Sequence, residues 1–421
     1  MTGDRGSADV RRRIARTLQV VNPGREDGMN VVGIDIGAAR HVAAVCREGE
    51  QEAEKAILRI SSRRAGFDDL DRWMTRHGDV GLVVMESSGH YWMSLASHLR
   101  RRGLPVALVN PLSAKYFAKS RLQRTKSDPA DARTLAVLGM STHPTPREPL
   151  AGAELREAAR FAMTLVTEQA KVCQRIQRLV DLGFPELRDA FEDPTCVSAL
   201  AVLRQAPTAA AVQRKRATTL ARATRPGGGR AIGPKRAESL KALAEQTVAP
   251  PELERQVGFE LALLIEQYDL LEGQITQAES RLAGLVEGDV ARRLQSIPGV
   301  GPATAATLLA EIGDIFRFTD VDQLLSYAGV HPREASSGRK GANPETSWHM
   351  AKTGNAHLRA ALYRMAMVGV QHNPVIAEHY ARKRAVGKSK MNALGHCMAK
   401  ALALVWGVWR GGRDFDPAYR A

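Results

Sequence analysis

The sequence predicts an α/β domain at its N-terminal end and an all-α remainder. Three observations carry that expectation. Short β-branched runs, Val31-Val-Gly-Ile-Asp-Ile-Gly37 and His41-Val-Ala-Ala-Val-Cys46 first among them, fall between residues 30 and 110 and are interleaved with helical spacing from Gly66 onward. Beyond residue 150 apolar residues recur by threes and fours. At 421 residues, 44% hydrophobic and 25% charged, the chain is long enough for two or three cored domains and has the composition of a globular protein.

Taken in order, residues 1–29 are polar and basic, with Arg11-Arg-Arg13, and are expected to be a disordered tail with a short helix from Val10 to Val20. The first two β-branched runs, joined by a turn containing Gly37, read as a hairpin that puts Asp35 on the first strand close to the turn. Ala56–Ile60 adds a third strand, Gly66–His77 a helix, and Val80–Met85 a short buried strand ending at Glu86. Ser87-Ser-Gly89 opens an amphipathic helix with Tyr91, Leu95 and Leu99 on one face, and Pro105–Val109 is the next strand. A meander that continues through crossover helices, in the order β-β-β-α-β-α-β-α, is what a ribonuclease-H-like domain needs, with its site at the carboxyl ends of the strands.

Asn110-Pro111 turns the chain into a basic loop holding Lys115, Lys119, Arg121, Arg124 and Lys126, followed by Asp128, Pro129 and Asp131. Proline at the first helical position needs no N–H, so Asp128 is expected as N-cap and Asp131 in the first turn. Side chains three apart share a helix face, so the two carboxylates can hold one divalent cation while the preceding cations hold a polyanion. A capped helix after a solvated loop is the plain alternative. An acid inside a strand as apolar as that of Asp35 needs a metal, a donor or solvent. With Glu86, Asp128 and Asp131 it makes four carboxylates able to converge. Such a cluster cannot stay fully ionised without a cation, so Mg²⁺ or Mn²⁺ is expected.

From Leu150 to Leu203 the chain reads as helical, with Leu155, Ala159, Ala162, Val166, Ala170, Cys173, Gln177 and Val180 as a core stripe. Between 204 and 250 the signal weakens to short helices around the basic segments Arg214-Lys-Arg216 and Pro226-Gly-Gly-Gly-Arg230. From Leu253 to Leu285, the residues Leu261, Leu264, Tyr268, Leu271, Ile275, Ala278, Leu282 and Leu285 form an a/d seam. Such a seam must meet another helix; it could be met within the chain, but self-pairing into a dimer is the expectation.

Ser296-Ile-Pro-Gly-Val-Gly-Pro302 resembles a helix-hairpin-helix turn, whose Gly299 and Gly301 amides can approach a DNA phosphate; a glycine turn between packed helices is the other reading. Ser337 stands beside Gly338 in a loop with Arg333, Arg339 and Lys340. A serine hydroxyl is a poor nucleophile unless a base, a metal or a positive field activates it, and no Gly-x-Ser-x-Gly elbow surrounds this one. The last block, Leu358–Trp409, is helical, and its interruptions Arg382-Lys-Arg384 and Lys388-Ser-Lys390 suit a nucleic-acid backbone or a solvated loop.

The formal charge of +15, with 60 Lys and Arg against 45 Asp and Glu, points to a nucleic-acid partner. With only 5% aromatic residues, stacking on bases is not expected to dominate. The scattered Cys46, Cys173, Cys196 and Cys397 suggest neither a disulfide framework nor a zinc site. No apolar run is long enough to span a bilayer and no signal-peptide layout opens the chain, so no membrane partner and a cytoplasmic location are expected.

Together these residues resemble the DEDD transposases of the insertion-sequence-110 family. The likeness rests on Asp35 in Gly33-Ile-Asp-Ile-Gly37, Glu86 followed by Gly89-His-Tyr91, Val109-Asn-Pro111 and Lys126-Ser-Asp-Pro-Ala-Asp-Ala132. Further along it rests on Ile297-Pro-Gly-Val-Gly301, Tyr327-Ala-Gly329, Pro332 with Ser337-Gly338 after it, Lys352-Thr-Gly-Asn355 and Leu358-Arg359. It runs from about Val31 to Trp409 and finds little between 204 and 250. The resemblance implies a RuvC-like domain over 30–149 whose Asp35, Glu86, Asp128 and Asp131 hold Mg²⁺. A helical and basic linker region over 150–250, a coiled-coil helix over 251–292, a helical transposase domain over 293–412 and a tail over 413–421 complete the expected layout.

The resemblance further implies that Ser337, favoured over Ser336 by its spacing from Pro332, attacks a DNA phosphodiester and stays joined to it at a composite site. A structured guide RNA would pair with target and donor DNA. Lys119, Arg121, Arg124, Lys126, Arg339, Lys340, Lys352 and Arg359 are the expected nucleic-acid contacts, and a coiled-coil dimer, extended to a tetramer in synapsis, the expected assembly. The nearest alternative is a RuvC-like metal-dependent endonuclease or junction resolvase without a covalent serine intermediate. A sugar-kinase or actin-like ATPase also begins with Gly-Ile-Asp-Ile-Gly but needs a second glycine-rich phosphate loop, and a catalytically silent nucleic-acid scaffold would be indifferent to Asp35→Asn.

Overall fold

Strand β1 (Asn30–Asp35) forms where Val31, Val32 and Ile34 can all be removed from water, and it becomes the centre of a five-stranded sheet. The computed structural model describes residues 29–87, 89–122, 127–148, 150–224, 228–286, 288–334, 348–351 and 353–418; the tail expected over 1–29 lies outside them except for Met29. The chain divides into two compact units, 1–151 and 152–421. No helix among the described residues is long and apolar enough to cross a membrane.

In the first unit the sheet order is β3-β2-β1-β4-β5, with β2 (Arg40–Cys46), β3 (Ile57–Ser61), β4 (Val80–Glu86) and β5 (Val106–Val109). β1, β2 and β3 pair antiparallel as a meander, whereas β4 joins β1, and β5 joins β4, in parallel. Parallel neighbours need crossover connections, supplied by α1 (Arg64–Arg76) and α2 (Trp92–Arg101). This is the ribonuclease-H-like arrangement expected from the sequence. Side chains alternate across each strand, so Val32, Ile34, Val83 and Met85 pack with Phe67, Leu70, Leu95 and Leu99 on one face. Val31, Leu82 and Val84 face the other way, against Leu135 and Leu138 of α4 (Asp128–Thr142).

Two local expectations change. Tyr91 does not share the buried face of α2: the helix begins one residue later, Trp92, Leu95 and Leu99 are buried, and Tyr91 is exposed beside His90. The turn at Gly89 has φ +60°, and the Trp92 indole N–H donates to the Gly89 carbonyl at 3.1 Å, which fixes that start. The basic stretch after β5 is not all loop. Residues Pro111–Ser120 form α3, because the Asn110 side chain accepts from the Leu112 amide at 2.8 Å and Pro111 is pre-set for a first turn.

Among its described residues the second unit is helical apart from a two-stranded ribbon, β6 (Pro332–Glu334) with β7 (Trp348–Met350). Its longest helices are α5 (Ala153–Gly183) and, after the short helices α6 (Leu187–Ala190), α7 (Val197–Gln205), α8 (Ala209–Arg214), α9 (Ala217–Ala221) and α10 (Pro234–Glu245), α11 (Glu254–Gly284). α5 and α11 run antiparallel: Glu154 accepts from Arg281 at 2.8 Å near one end, and Gly183 lies against Val257 at the other. The seam predicted on α11 is therefore met inside the same chain, where Leu261, Leu271, Tyr268 and Ile275 join the cluster built on α5. That occupancy removes the argument for a dimer through the seam.

On α5 the buried row is Ala159, Ala162, Leu165, Val172, Ile176, Leu179 and Val180, while Ala170 from the expected stripe is exposed. Turning the helix this way buries leucine and isoleucine in place of Ala170 and Gln177, and burial free energy follows apolar area. Residues of 150–250 supply most of that cluster. A second core gathers α12 (Asp289–Gln295), α13 (Pro302–Ile312), α14 (Val321–Ala328), α15 (Ala356–His372), α16 (Pro374–Ala385) and α17 (Lys390–Gly411) around Leu308, Leu324, Leu362 and Leu402.

Candidate active site

Strand alternation decides which way the acids point. Val31 and Gly33 lie on the α4 face of β1, so Asp35 does too; Leu82 and Val84 place Glu86 on the same face of β4. Ile34 pairs with Met85 in the parallel register, which makes Asp35 and Glu86 neighbours at the carboxyl ends of adjacent strands.

The other two acids arrive on α4, which approaches β1 closely because two glycines allow it. A Cβ at Gly33 would stand 2.1 Å from the Ala136 amide nitrogen and 2.3 Å from the Ala132 carbonyl oxygen, and one at Gly139 would stand 2.6 Å from Val31 and Val84 methyls. The helix thus runs opposite to β1, with its N-terminus toward Asp35. Asp35 is about 7 Å along the strand from Gly33. Asp131 and Asp128 lie about 5 and 9 Å along the helix from the same level. The three therefore stand at one height.

The helix start differs by one residue from expectation. Ser127, not Asp128, is the N-cap residue, the Asp131 amide donates to the Ser127 carbonyl at 2.9 Å, and both acids fall in the first turn. Pro129 tolerates a position with no intrahelical amide bond, and the Ser127 side chain makes no capping hydrogen bond. The first turn is also where the helix dipole favours negative charge.

Electrostatics report the same convergence. Burial first, then the charges of Asp131, Asp128 and Glu86, push the Asp35 carboxyl up from 3.8 to about 6, against a lowering bond from the Ile36 backbone. The acids are not drawn into a finished cage, since among the described residues no group of three or more His, Cys, Asp or Glu side chains is set to hold a metal ion. Their mutual repulsion is nonetheless what a divalent cation would relieve, and hard oxygen donors suit Mg²⁺ or Mn²⁺. The residue set fits such an ion.

A Gly33→Ala protein is expected to lose metal-dependent strand cleavage with all four acids still in place, because α4 must lift off β1. Its melting temperature should fall as well. Cleavage and melting at native values would show that the close approach does not matter.

Among the expected nucleic-acid contacts, Lys119 and Arg121 are exposed at the end of α3, and the Arg121 guanidinium donates to the Gln51 carbonyl at 3.0 Å. Gly301 is exposed at the start of α13, with nothing within 4 Å of where a Cβ would stand. Gly299, at φ +97°, is packed against the backbone of α15 near Met365 and Gly369. Arg359 is half-buried and donates to the Ala328 carbonyl at 3.1 Å. Arg124, Lys126, Ser337, Arg339, Lys340 and Lys352 lie outside the described residues.

Comparison with known sequences places the chain in a family. The profile of a transposase family matches residues 32–185, covering all four acids, and that of the Transposase IS116/IS110/IS902 family matches 291–381. A Streptomyces coelicolor mini-circle protein, named as a transposase for IS117, is 30% identical over 93% of this chain and 96% of its own length. The chain belongs to the IS110 family of transposases. It is accordingly an enzyme of DNA strand cleavage and rejoining. This transposase is also similar to the pilin gene-inverting protein of Moraxella bovis, 24% identical over 91% and 97% of the two chains. The solved Thermus thermophilus RuvC in complex with a Holliday junction substrate matches 28% of the transposase and 99% of RuvC at 12% identity and a TM-score of 0.22. The ribonuclease-H-like assignment stands on the strand order rather than on that overlap.

Sequence reading missed a second polar centre, in the helical unit. Glu311 is 3% exposed and is the charged residue of α13, and Arg160 of α5 donates to both its oxygens at 2.7 and 2.9 Å. Asn355 donates to the same carboxylate at 2.7 Å while its side-chain oxygen caps α15. The Tyr327 hydroxyl donates to the Glu311 carbonyl at 2.9 Å, and the Asn355 amide donates to the Tyr327 carbonyl at 2.7 Å. These bonds tie the chain just after β7 to α13 and α14. The ribbon they anchor flanks the segment that contains Ser337. The acid within Leu308-Leu-Ala-Glu-Ile312 was the signal available, since a carboxylate in such a run needs a partner.

Proposed function

We propose that this transposase excises and inserts a mobile element by conservative, site-specific strand exchange, with Asp35, Glu86, Asp128 and Asp131 as the ligands of Mg²⁺ and Ser337 as nucleophile. The raised Asp35 carboxyl, pushed up by burial and by the charges of Asp131, Asp128 and Glu86, is the observation that carries the reading. These four carboxylates would hold Mg²⁺, and the ion would supply positive charge to a phosphodiester as negative charge develops on it. Asp35 and Glu86 fix that position from the sheet, and α4 brings Asp128 and Asp131 to it.

In the exchange the Ser337 Oγ–P bond forms as a P–O bond to deoxyribose breaks, and the serine proton is matched by one gained at the released hydroxyl. Rejoining runs the same step backward with a different strand end, so no outside energy source is required. A relative named for inverting a gene supports a conservative exchange. A structured RNA as guide is consistent with a charge of +15 and 5% aromatic residues, since base pairing would then read sequence while the protein holds backbone.

The test is to incubate the protein with labelled DNA carrying the element ends and Mg²⁺, and to resolve covalent adducts under denaturing conditions. Adduct should form with the native chain and vanish with Ser337→Ala. Cleavage at the native rate without adduct in that variant would favour the endonuclease reading, in which water attacks.

A further inference from the structure

A cavity of about 480 Å³ opens between α1 and α2, on the face of the sheet away from α4, and the site described above makes no use of it. Arg63, Arg64 and Arg101 line it with Ser62, whose hydroxyl is 3.2 Å from His41 Nε2, and with Ser94 and Ser97, and Phe67, almost wholly buried, forms part of its wall. Arginine forks and serine hydroxyls are the donor set of a phosphodiester site.

The local charge is not cancelled. Arg64 is paired with Asp68 at 3.2 Å, and Asp71 is shared by His98 at 3.0 Å and Arg102 at 3.3 Å. Among the described residues no carboxylate lies within ion-pair distance of Arg63 or Arg101, and both side chains are exposed.

Position links the cavity to the acids. β3 runs parallel to β1 two strands away, about 10 Å, so its end at Ser61 reaches the edge where Asp35 lies. Ser62, Arg63 and Arg64 follow directly. α2 leaves the same edge after Glu86 and carries Ser94, Ser97 and Arg101 along the cavity. The arginines therefore lead away from the carboxylate edge.

We propose that this cavity binds the backbone phosphates of substrate DNA as the strand leaves the acidic cluster. DNA is the favoured polyanion because strand cleavage and rejoining is the family's activity, and the proposal rests on the four acids marking the place of cleavage. The binding test is made in an Asp35→Asn background, without chemistry, so that it can fail independently of that reading.

Full-length protein carrying Arg63→Ala and Arg101→Ala is titrated with labelled single-stranded DNA, the matching duplex, and RNA of the same sequence over a series of salt concentrations. Each phosphate contact contributes about 0.7 to 0.9 to the slope of log affinity against log salt, so the DNA slope should shrink by about 1.5 and affinity should weaken about tenfold. Arg72→Ala with Arg76→Ala removes the same charge elsewhere on α1 and should leave the slope within about 0.3 of native. Unchanged DNA binding in the cavity variant, equal loss in both double variants, or loss for RNA alone would overturn the proposal. The melting temperature of the cavity variant should equal that of its parent, since neither arginine is buried.

Discussion

Asp35→Asn is expected to abolish metal-dependent cleavage while making the metal-free protein more stable. Removing one group that stabilises transition-state charge costs at least about a hundredfold in rate. The stability gain follows from the raised carboxyl of Asp35, at about 6 against an ordinary 3.8. Between those values the native state binds more protons than the unfolded chain, so stability falls as pH rises through the window, and above it the ionised acid is a standing cost. Because the carboxyl is half-exposed, solvent screening reduces that cost to about 1–2 kcal/mol. Metal-free native protein should therefore melt higher at pH 4.5 than at pH 7 by the Asp35 contribution, and Asp35→Asn should remove that part of the dependence. Saturating Mg²⁺ should raise the melting temperature of the native chain at pH 7 and do little for the variant. Equal metal stabilisation of both would exclude Asp35 as a ligand.

Arg160→Ala is expected to destabilise the helical unit more than any exposed substitution. It leaves the Glu311 carboxylate buried with Asn355 as its remaining side-chain donor; because the Arg160 side chain is itself 38% exposed, solvent screening reduces the roughly 3–5 kcal/mol typical of a fully buried pair to about 1–3 kcal/mol. In folded protein the Arg160 guanidinium holds the Glu311 carboxyl below the ordinary carboxylate range against the opposing effect of burial. A depressed acid stabilises above its unfolded value and loses that contribution as pH falls through the lower folded value, so the variant should also have a flatter acid limb. Scanning calorimetry would show the melting of the helical unit shifted down by about 5 °C. Glu311→Leu combined with Arg160→Met should recover much of it, because no charge is then stranded. A shift below about 2 °C in the single variant would mean that solvent compensates the carboxylate.

The parts of this protein legible in its sequence are those encoded by local period. Val31-Val-Gly-Ile-Asp and Val80–Glu86 declare buried strands, and an acid at the end of each is costly enough to draw notice. Asp128 and Asp131 announce themselves by their spacing around a proline. Less legible was whatever depended on a partner chosen elsewhere in the chain. The a/d period of α11 states that a helix must cover Leu261 and Leu271, but nothing in it says that α5 does so. Gly33 looks like any glycine in a strand until the backbone of α4 is found against it. Arg160 and Glu311, distant in sequence, show no pairing signal beyond the oddness of an acid among leucines. The one-residue errors at Tyr91 and Asp128 have a common origin, because a cap is chosen by backbone geometry at Gly89 or Ser127 that composition does not specify.

The central claim is that four acids on a sheet and a helix act as one metal site. Its most direct test is calorimetric titration of Mn²⁺ into the native protein and into Asp35→Asn, Glu86→Gln, Asp128→Asn and Asp131→Asn separately. Each single change should weaken binding by more than tenfold, and pairs of changes should add little further loss. Native affinity in all four variants, or losses that simply add, would show that these carboxylates do not share an ion.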